Sequence, residues 1–225
     1  MNSTSQTHQI HRLSNSFVNL YLIVEPAGLT LIDTGLARSG PKLVLGKLAA
    51  LGYQPNDLKH ILITHADPDH TGGATALKAA TGARLYASAI EKEAIEKGST
   101  ARQPSGVVFN LFANTIGKLM MPLAAAKVDE VLSDGQVLPI LGSLHVLATP
   151  GHTPGHVSFF APALGALIAG DSLNAMGGAL KFKLAPVHWD YEQGLNSVRK
   201  QAQLGARAVY CGHGPVIENP VFPSL

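Results

Sequence analysis

Four side chains able to ligate a metal fall within six residues, His65-Ala66-Asp67-Pro68-Asp69-His70, directly after the apolar run Ile61-Leu62-Ile63-Thr64. Imidazole and carboxylate together suit Zn, Mn or Fe, and a strand leading into the cluster holds its ligands on a rigid element. The cluster reads as half of a two-metal site. Three further segments offer the other half: Thr149-Pro150-Gly151-His152-Thr153-Pro154-Gly155-His156, Ala169-Gly170-Asp171-Ser172 and Cys211-Gly212-His213-Gly214-Pro215. Each sets a His or Asp near glycine, whose conformational freedom permits the sharp turn that aims a side chain off a strand end into a shared cleft.

The elements that must position these residues follow from pattern. Residues 17–24 and 29–33 are strand-like and are joined by Glu25-Pro26-Ala27-Gly28, a hairpin turn. Residues 41–51 read as a helix with proline in the first turn and Gly52 past its end. A buried strand at 60–64 precedes the cluster, and a helix at 73–80, a strand at 84–87 and a charged helix at 89–97 follow it. Beyond Val131, short strands near 136–138, 144–148, 157–160 and 166–169 are separated by Gly and Pro turns. Asp190 caps a helix running to about Leu204, Gly205 stops it, and 208–211 is a last strand. Two sheets flanked by helices accommodate this order. The polar start, with His8 and His11, reads as a leader; His60 and His145 read as strand residues.

The 225 residues, 46% hydrophobic and only 14% charged, predict one compact domain over 1–225. A formal charge of +2 from dispersed lysines and arginines excludes the basic stripe of a nucleic-acid binder. The polar start is no secretory signal, and the single Cys211, expected in the buried last strand, forms no intrachain disulfide; both point to the cytoplasm. Residues 107–123 contain Asn110, Asn114, Lys118 and Pro122 and fall short of the roughly 20 apolar residues of a membrane span. Within a longer insertion at 98–130, Val108, Leu111, Phe112, Ile116, Leu119, Met120 and Leu123 recur at helical spacing. The stripe is expected to dock as a helix on the body, to pair two copies in a homodimer, or to form a lid lining an apolar substrate groove, and a lid and a dimer are compatible.

From the hairpin ending in Leu31-Ile32-Asp33-Thr34-Gly35 to Gly212-His213-Gly214, the chain resembles the metallo-β-lactamase superfamily. The resemblance implies an α/β fold, a four-layer αββα sandwich with metals in a groove at one edge of the two sheets. It further implies His65 and His152 at a first metal, Asp69, His70 and His213 at a second, and Asp171 bridging both. Asp69 is in addition a catalytic candidate for proton relay. His156 matches no ligand position and is expected to support the turn or to hydrogen-bond a ligand from behind. Asp33 is expected as a structural residue near the site. Where the family pattern His-x-His-x-Asp-His has its second histidine, this chain has Asp67. Asp67 either reaches the first metal, since carboxylate oxygen coordinates at about the distance of imidazole nitrogen, or caps a helix or braces the loop and leaves the first site weak or empty. An added carboxylate shifts preference from Zn, the metal first expected, toward Mn or Fe.

The resemblance implies a binuclear metal-dependent hydrolase for an ester, lactone, thioester or, as a side activity, a β-lactam. Coordination lowers the pKa of water from about 15.7 toward roughly 7 and supplies hydroxide at neutral pH. Twelve residues follow His213, no length for the helical glutathione-binding domain of typical glyoxalase II enzymes, and no export signal favours a dedicated β-lactamase. A lactonase, esterase or thioesterase is the expectation. Two readings from other classes stand beside it. A nonhaem di-iron redox protein is supported by Asp67, because flavodiiron relatives carry glutamate there, and opposed by the lack of a flavin domain. A single-metal binding module without turnover follows if Asp67 disables the first site. No substrate-binding residue is assigned: Lys181 and Lys183 read as strand-edge charges, and His188 beside Trp189 is only a candidate for the groove.

Overall fold

The strand β2 (Asn19–Glu25) is buried on both sides, with Leu20 and Leu22 in one apolar cluster and Tyr21 and Ile23 in another. A strand with two apolar faces needs cover on both. The computed structural model, which describes residues 9–15, 17–101, 121–182 and 188–224, supplies that cover with a second sheet on one side and helices on the other.

The first sheet runs β1 (Gln9–Ser14), β2, β3 (Gly28–Ile32), β4 (Leu58–Leu62), β5 (Arg84–Ser88) and β6 (Glu130–Leu132) in spatial order. β1 to β3 are antiparallel and β3 to β6 parallel. The parallel strands are linked through α1 (Gly40–Ala50), then α2 (Pro68–Thr71) with α3 (Ala74–Thr81), then α4 (Ala89–Glu96). The second sheet holds β7 (Val137–Leu138), β8 (Leu144–Ala148), β9 (Val157–Ala161), β10 (Ala166–Gly170), β11 (Ala208–Cys211) and β12 (Ile217–Glu218), in spatial order from β12 to β7. Among these described strands only β10 and β11 run parallel, joined across α5 (Tyr191–Ala202).

Tyr21, Ile23, Ile32, Leu62, Val146, Phe159 and Ile168 fill the space between the sheets. Leu22, Leu31, Ile61 and Leu85 pack outward on Val44, Leu48, Leu77 and Ile95 of the helices, and Leu167 and Val209 pack on Val198 of α5. These layers are the expected αββα sandwich. The sheets are tied at one edge: the Cys211 carbonyl accepts from Tyr21 Oη–H at 2.5 Å and Asn19 Nδ2–H at 2.9 Å, and the Thr64 carbonyl accepts from the Val157 N–H at 3.0 Å. Strands that run parallel present their carboxyl ends together, so the segments after β3, β4, β8, β10 and β11 meet at this edge.

The hairpin turn, the helix at 41–51 and the strand at 208–211 lie where pattern predicts, within one or two residues, but 208–211 is not the last strand: the two-residue β12, too short to leave a pattern, follows it. The start does not: residues 9–14, read as a polar leader, form β1. Only Leu13 of this edge strand is buried, so it carries little of the apolar alternation that reveals a strand. Residues 102–120 and Lys183 lie outside the described residues, and with them most of the apolar stripe at 98–130. No described helix is long and apolar enough to cross a membrane.

Phe159, buried in the inter-sheet core, is expected to cost about 3–5 kcal/mol of stability as Phe159→Ala, measured by urea unfolding, against under about 0.5 kcal/mol for the exposed Val137→Ala.

Candidate metal centre

His65, Asp67, Asp69 and His70 leave the end of β4, His152 sits in the turn between β8 and β9, Asp171 follows β10 and His213 follows β11. The fold brings all seven into one cleft. One group comprises His65, His152 and Asp171 and another Asp69, His70 and His213, each with its ligating atoms within 4.8 Å of one another. The Asp171 carboxylate faces both: Oδ2 is 3.6 Å from His152 Nε2 and 3.3 Å from His213 Nε2, and Oδ1 is 3.5 Å from His70 Nε2. Asp69 Oδ2 lies 3.5 Å from His213 Nε2 and 3.8 Å from His70 Nε2.

Asp67 occupies the position before α2, yet its side chain makes no cap hydrogen bond. Its Oδ2 instead lies 3.2 Å from His152 Nε2 and 3.7 Å from His65 Nε2. The helix cap that was open to Asp67 is not made.

Donors about 2.1 Å from a shared ion at tetrahedral angles stand about 3.4 Å apart. The imidazole-to-carboxylate separations here run from 3.2 to 3.8 Å. Nε2 of His65 and Nε2 of His70 are buried without a hydrogen-bond partner. A ring nitrogen in that state needs a cation or a donor, so the residues fit divalent metal.

The far sides of the rings show how they are aimed. Asp33, at φ +60°, accepts from the Thr64 N–H and the Thr64 hydroxyl, both at 2.8 Å, and from His70 Nδ1–H at 2.8 Å. A hydroxyl that donates to Asp33 is left to accept, so His65 donates Nδ1–H to Thr64 Oγ1 at 2.9 Å and turns Nε2 into the cleft. His213 donates Nδ1–H to the Phe17 carbonyl at 2.7 Å, with the same result. His156 is different. Its Nε2 accepts the Asp171 backbone N–H at 3.0 Å while Nδ1 donates to Thr149 Oγ1 at 2.8 Å, so it holds the Asp171 backbone and has no nitrogen left for a metal. Gly170, at φ +56°, makes room for it: a Cβ there would lie 2.7 Å from His156 Nε2.

Burial pulls the His70 pKa down, but Asp69, Asp33 and Asp171 outweigh it and hold His70 at about 10, the mark of a cleft that favours positive charge. Burial and the neighbouring His70 push His65 down to about 4, and burial with His65 and His152 pushes His156 well below the ordinary histidine range. His188, the groove candidate, lies edge-on to His152 with ring centroids 6.0 Å apart.

Glu91 was not among the expected residues. It is fully buried, and burial pushes its carboxyl up to about 7 against hydrogen bonds from Thr153, Ala66 and Gly155. In sequence, Ser88-x-x-Glu91 reads as a helix-start box and hides any link to the cleft. Ser88 does cap α4, accepting the Glu91 N–H at 3.4 Å, but the Glu91 carboxylate turns to the cleft loops.

An αββα sandwich whose strand ends converge on two His/Asp groups is a metal-binding architecture of the metallo-β-lactamase type. Residues 14–213 match the family model for the metallo-beta-lactamase superfamily, and the chain belongs to that superfamily. It is similar to the uncharacterized protein YobT of Bacillus subtilis strain 168, 30% identical over 213 residues, covering 90% of this chain and 85% of that one. It is similar to a hydroxyacylglutathione hydrolase of Rhodospirillum rubrum, 31% identical over 223 residues, covering 98% of this chain and 70% of the relative. It spans only 51% of the length of the hydroxyacylglutathione hydrolase of Ectopseudomonas mendocina. Among solved structures, a metallo-beta-lactamase family protein from Thermus thermophilus superposes with a TM-score of 0.71 at 29% identity, covering 94% of this chain and 75% of that one.

A Cβ at Gly212 would lie 2.2 Å from Asp171 Oδ1 and 2.7 Å from His70 Cε1. Gly212→Ala is therefore expected to lower metal content per chain in elemental analysis, with an unchanged far-ultraviolet circular dichroism spectrum.

Proposed function

We propose that this metallo-β-lactamase-fold domain holds two divalent ions and hydrolyses a small ester, lactone or thioester that carries an apolar group. The observation that carries the proposal is the Asp171 carboxylate, which faces His152 at 3.6 Å on one side and His70 and His213 at 3.5 and 3.3 Å on the other. His65, Asp67 and His152 would hold the first ion, Asp69, His70 and His213 the second, with Asp171 between them.

Two such ions, when bound, supply a hydroxide nucleophile at neutral pH and polarise the carbonyl under attack. The chain's own residues do the rest. Asp33, Thr64 and the Phe17 carbonyl keep the ring nitrogens aimed. Asp69, with the most exposed side chain of the three cleft carboxylates at 15%, is the residue proposed to move a proton between the cleft and the leaving group.

Large exposed apolar residues next to the ligand loops support an apolar substrate group. Phe17 is 58% exposed with its ring centroid 5.4 Å from that of His213. The backbone N–H of exposed Trp189 donates to the His152 carbonyl at 3.1 Å, and exposed Met176 follows Ala175, whose backbone N–H donates to the His213 carbonyl at 3.0 Å. The names of the hydroxyacylglutathione hydrolase relatives support a thioester within this range. Zn is the proposed metal, with Mn or Fe favoured by the extra carboxylate of Asp67. A cytoplasmic location is part of the proposal, and the apolar stripe at 98–130 supports a lid or a homodimer contact.

A second reading, a nonhaem di-iron redox protein, is favoured by Asp67 Oδ2, which lies 3.2 Å from His152 Nε2 and 3.7 Å from His65 Nε2 beside the first group. Elemental analysis of protein purified without added metal separates the two: two Zn or Mn ions per chain support the hydrolase, and two Fe ions turn the assays to oxygen and nitric oxide consumption.

Asp171→Ala and His152→Ala are each expected to lower turnover of thioester, lactone and ester substrates by at least about 100-fold with an unchanged circular dichroism spectrum, because each removes a ligand and little apolar packing. Survival of activity in either would mean the proposed centre is wrong. Asp67→His is expected to raise the affinity for Zn relative to Mn, read by competitive metal titration; an unchanged ratio would make Asp67 a bystander.

A further inference from the structure

On the two-ion reading above, we propose that Glu91 is a positioning residue whose buried carboxylate clamps together the two loops that supply the first ion's ligands. Glu91 Oε2 accepts the Ala66 N–H at 2.7 Å, and Oε1 accepts the Thr153 hydroxyl at 2.6 Å and the Gly155 N–H at 3.0 Å. Ala66 sits between His65 and Asp67, and Thr153 follows His152. One side chain from α4 thus holds the backbone between His65 and Asp67 and, in the loop of the other sheet, the hydroxyl of the residue after His152 and the Gly155 N–H.

His152 depends on this more than the other ligating histidines do. Rings of His65, His70 and His213 are each held from behind through Nδ1, by Thr64, Asp33 and the Phe17 carbonyl. His152 Nδ1 is buried and has no hydrogen-bond partner among the described residues. The direction of that ring is set by its loop, and the loop is held by Glu91, by Ser88 Oγ–H donating to the Gly155 carbonyl at 2.6 Å, and by the Trp189 N–H on the His152 carbonyl. The second group has its own supports in Asp33 and the Phe17 carbonyl.

All three partners of Glu91 are donors, so both of its oxygens must accept. Glutamine keeps the shape but turns an NH₂ toward one of those donors, either the Ala66 N–H or the Thr153 and Gly155 pair. The clamp therefore predicts a selective effect: the first ion weakens and the second does not. A purely structural role for Glu91 would weaken both ions with the fold or neither.

The test is titration of metal-stripped full-length protein with Zn against a chromophoric chelator, comparing wild type, Glu91→Gln, Thr153→Val and the core variant Phe159→Ala. Wild type is expected to give two affinities. Glu91→Gln is expected to lower one of them by roughly 10- to 100-fold and leave the other unchanged, the size of effect that loss of an outer support has on a metal site. Thr153→Val, which removes one of the three hydrogen bonds and keeps the side-chain volume, is expected to lower the same affinity by less, and it carries the test if Glu91→Gln does not fold. Phe159→Ala, destabilised without touching the cleft, is expected to keep both affinities. Two wild-type ions with both unchanged, or both equally weakened, in Glu91→Gln and Thr153→Val overturn the clamp alone. Fewer than two ions in the wild type overturn the two-ion reading, and the clamp with it.

Discussion

The carboxylate of Asp33 joins the ends of β3 and β4 to both halves of the cleft. It accepts three hydrogen bonds, two from Thr64 and one from His70, and through the Thr64 hydroxyl it also sets the ring of His65. Asp33 is one of three non-glycine residues at positive φ among the described residues, a conformation that aspartate tolerates better than most side chains. The strain is local, and it is held by a dense surround. The Asp33 N–H continues the sheet onto the Leu62 carbonyl at 2.9 Å, and the next residue, Thr34, donates both its N–H and its hydroxyl to the His70 carbonyl, at 2.7 and 2.8 Å. Both histidine ligands that leave β4, His65 and His70, are thereby referred to the end of β3.

Such a centre asks much of its scaffold. Asp33, Asp67, Asp171, His65, His70 and His152 are all buried, and carboxylates gathered this closely repel one another unless positive charge lies between them. The sandwich bears this because three apolar clusters hold its layers together, and because Tyr21 and Asn19 of one sheet grip the Cys211 carbonyl of the other just before His213. Packing and polar ties do different work here. The clusters hold the sheets together, and the ties decide how the strand ends meet.

Most of this architecture was legible in the sequence where a residue's role is local. The turn at Pro26-Ala27, the stops at Gly52 and Gly205, and the Asp190 cap, which accepts the Gln193 N–H at 3.0 Å, all act within a few residues and leave a pattern. The edge strand β1 escaped because one buried residue, Leu13, makes no alternation. Glu91 escaped for another reason: its neighbours in sequence explain it as a helix start, while its partners Ala66 and Thr153 are 25 and 62 residues away.

The sequence by itself determined which side chains can ligate a metal, their order along the chain, and the family pattern with its exchange to Asp67. Those facts depend only on residue type and spacing. The tertiary structure alone decided where each atom points: that Asp67 faces His152, 85 residues away, and does not cap α2; that His156 spends its nitrogens on Thr149 and the Asp171 backbone; and that Glu91 lies between the cleft loops. The reason is physical. Ligand direction is set by hydrogen bonds between segments that meet only when two sheets pack, and no local pattern of residues records which donors will be waiting there.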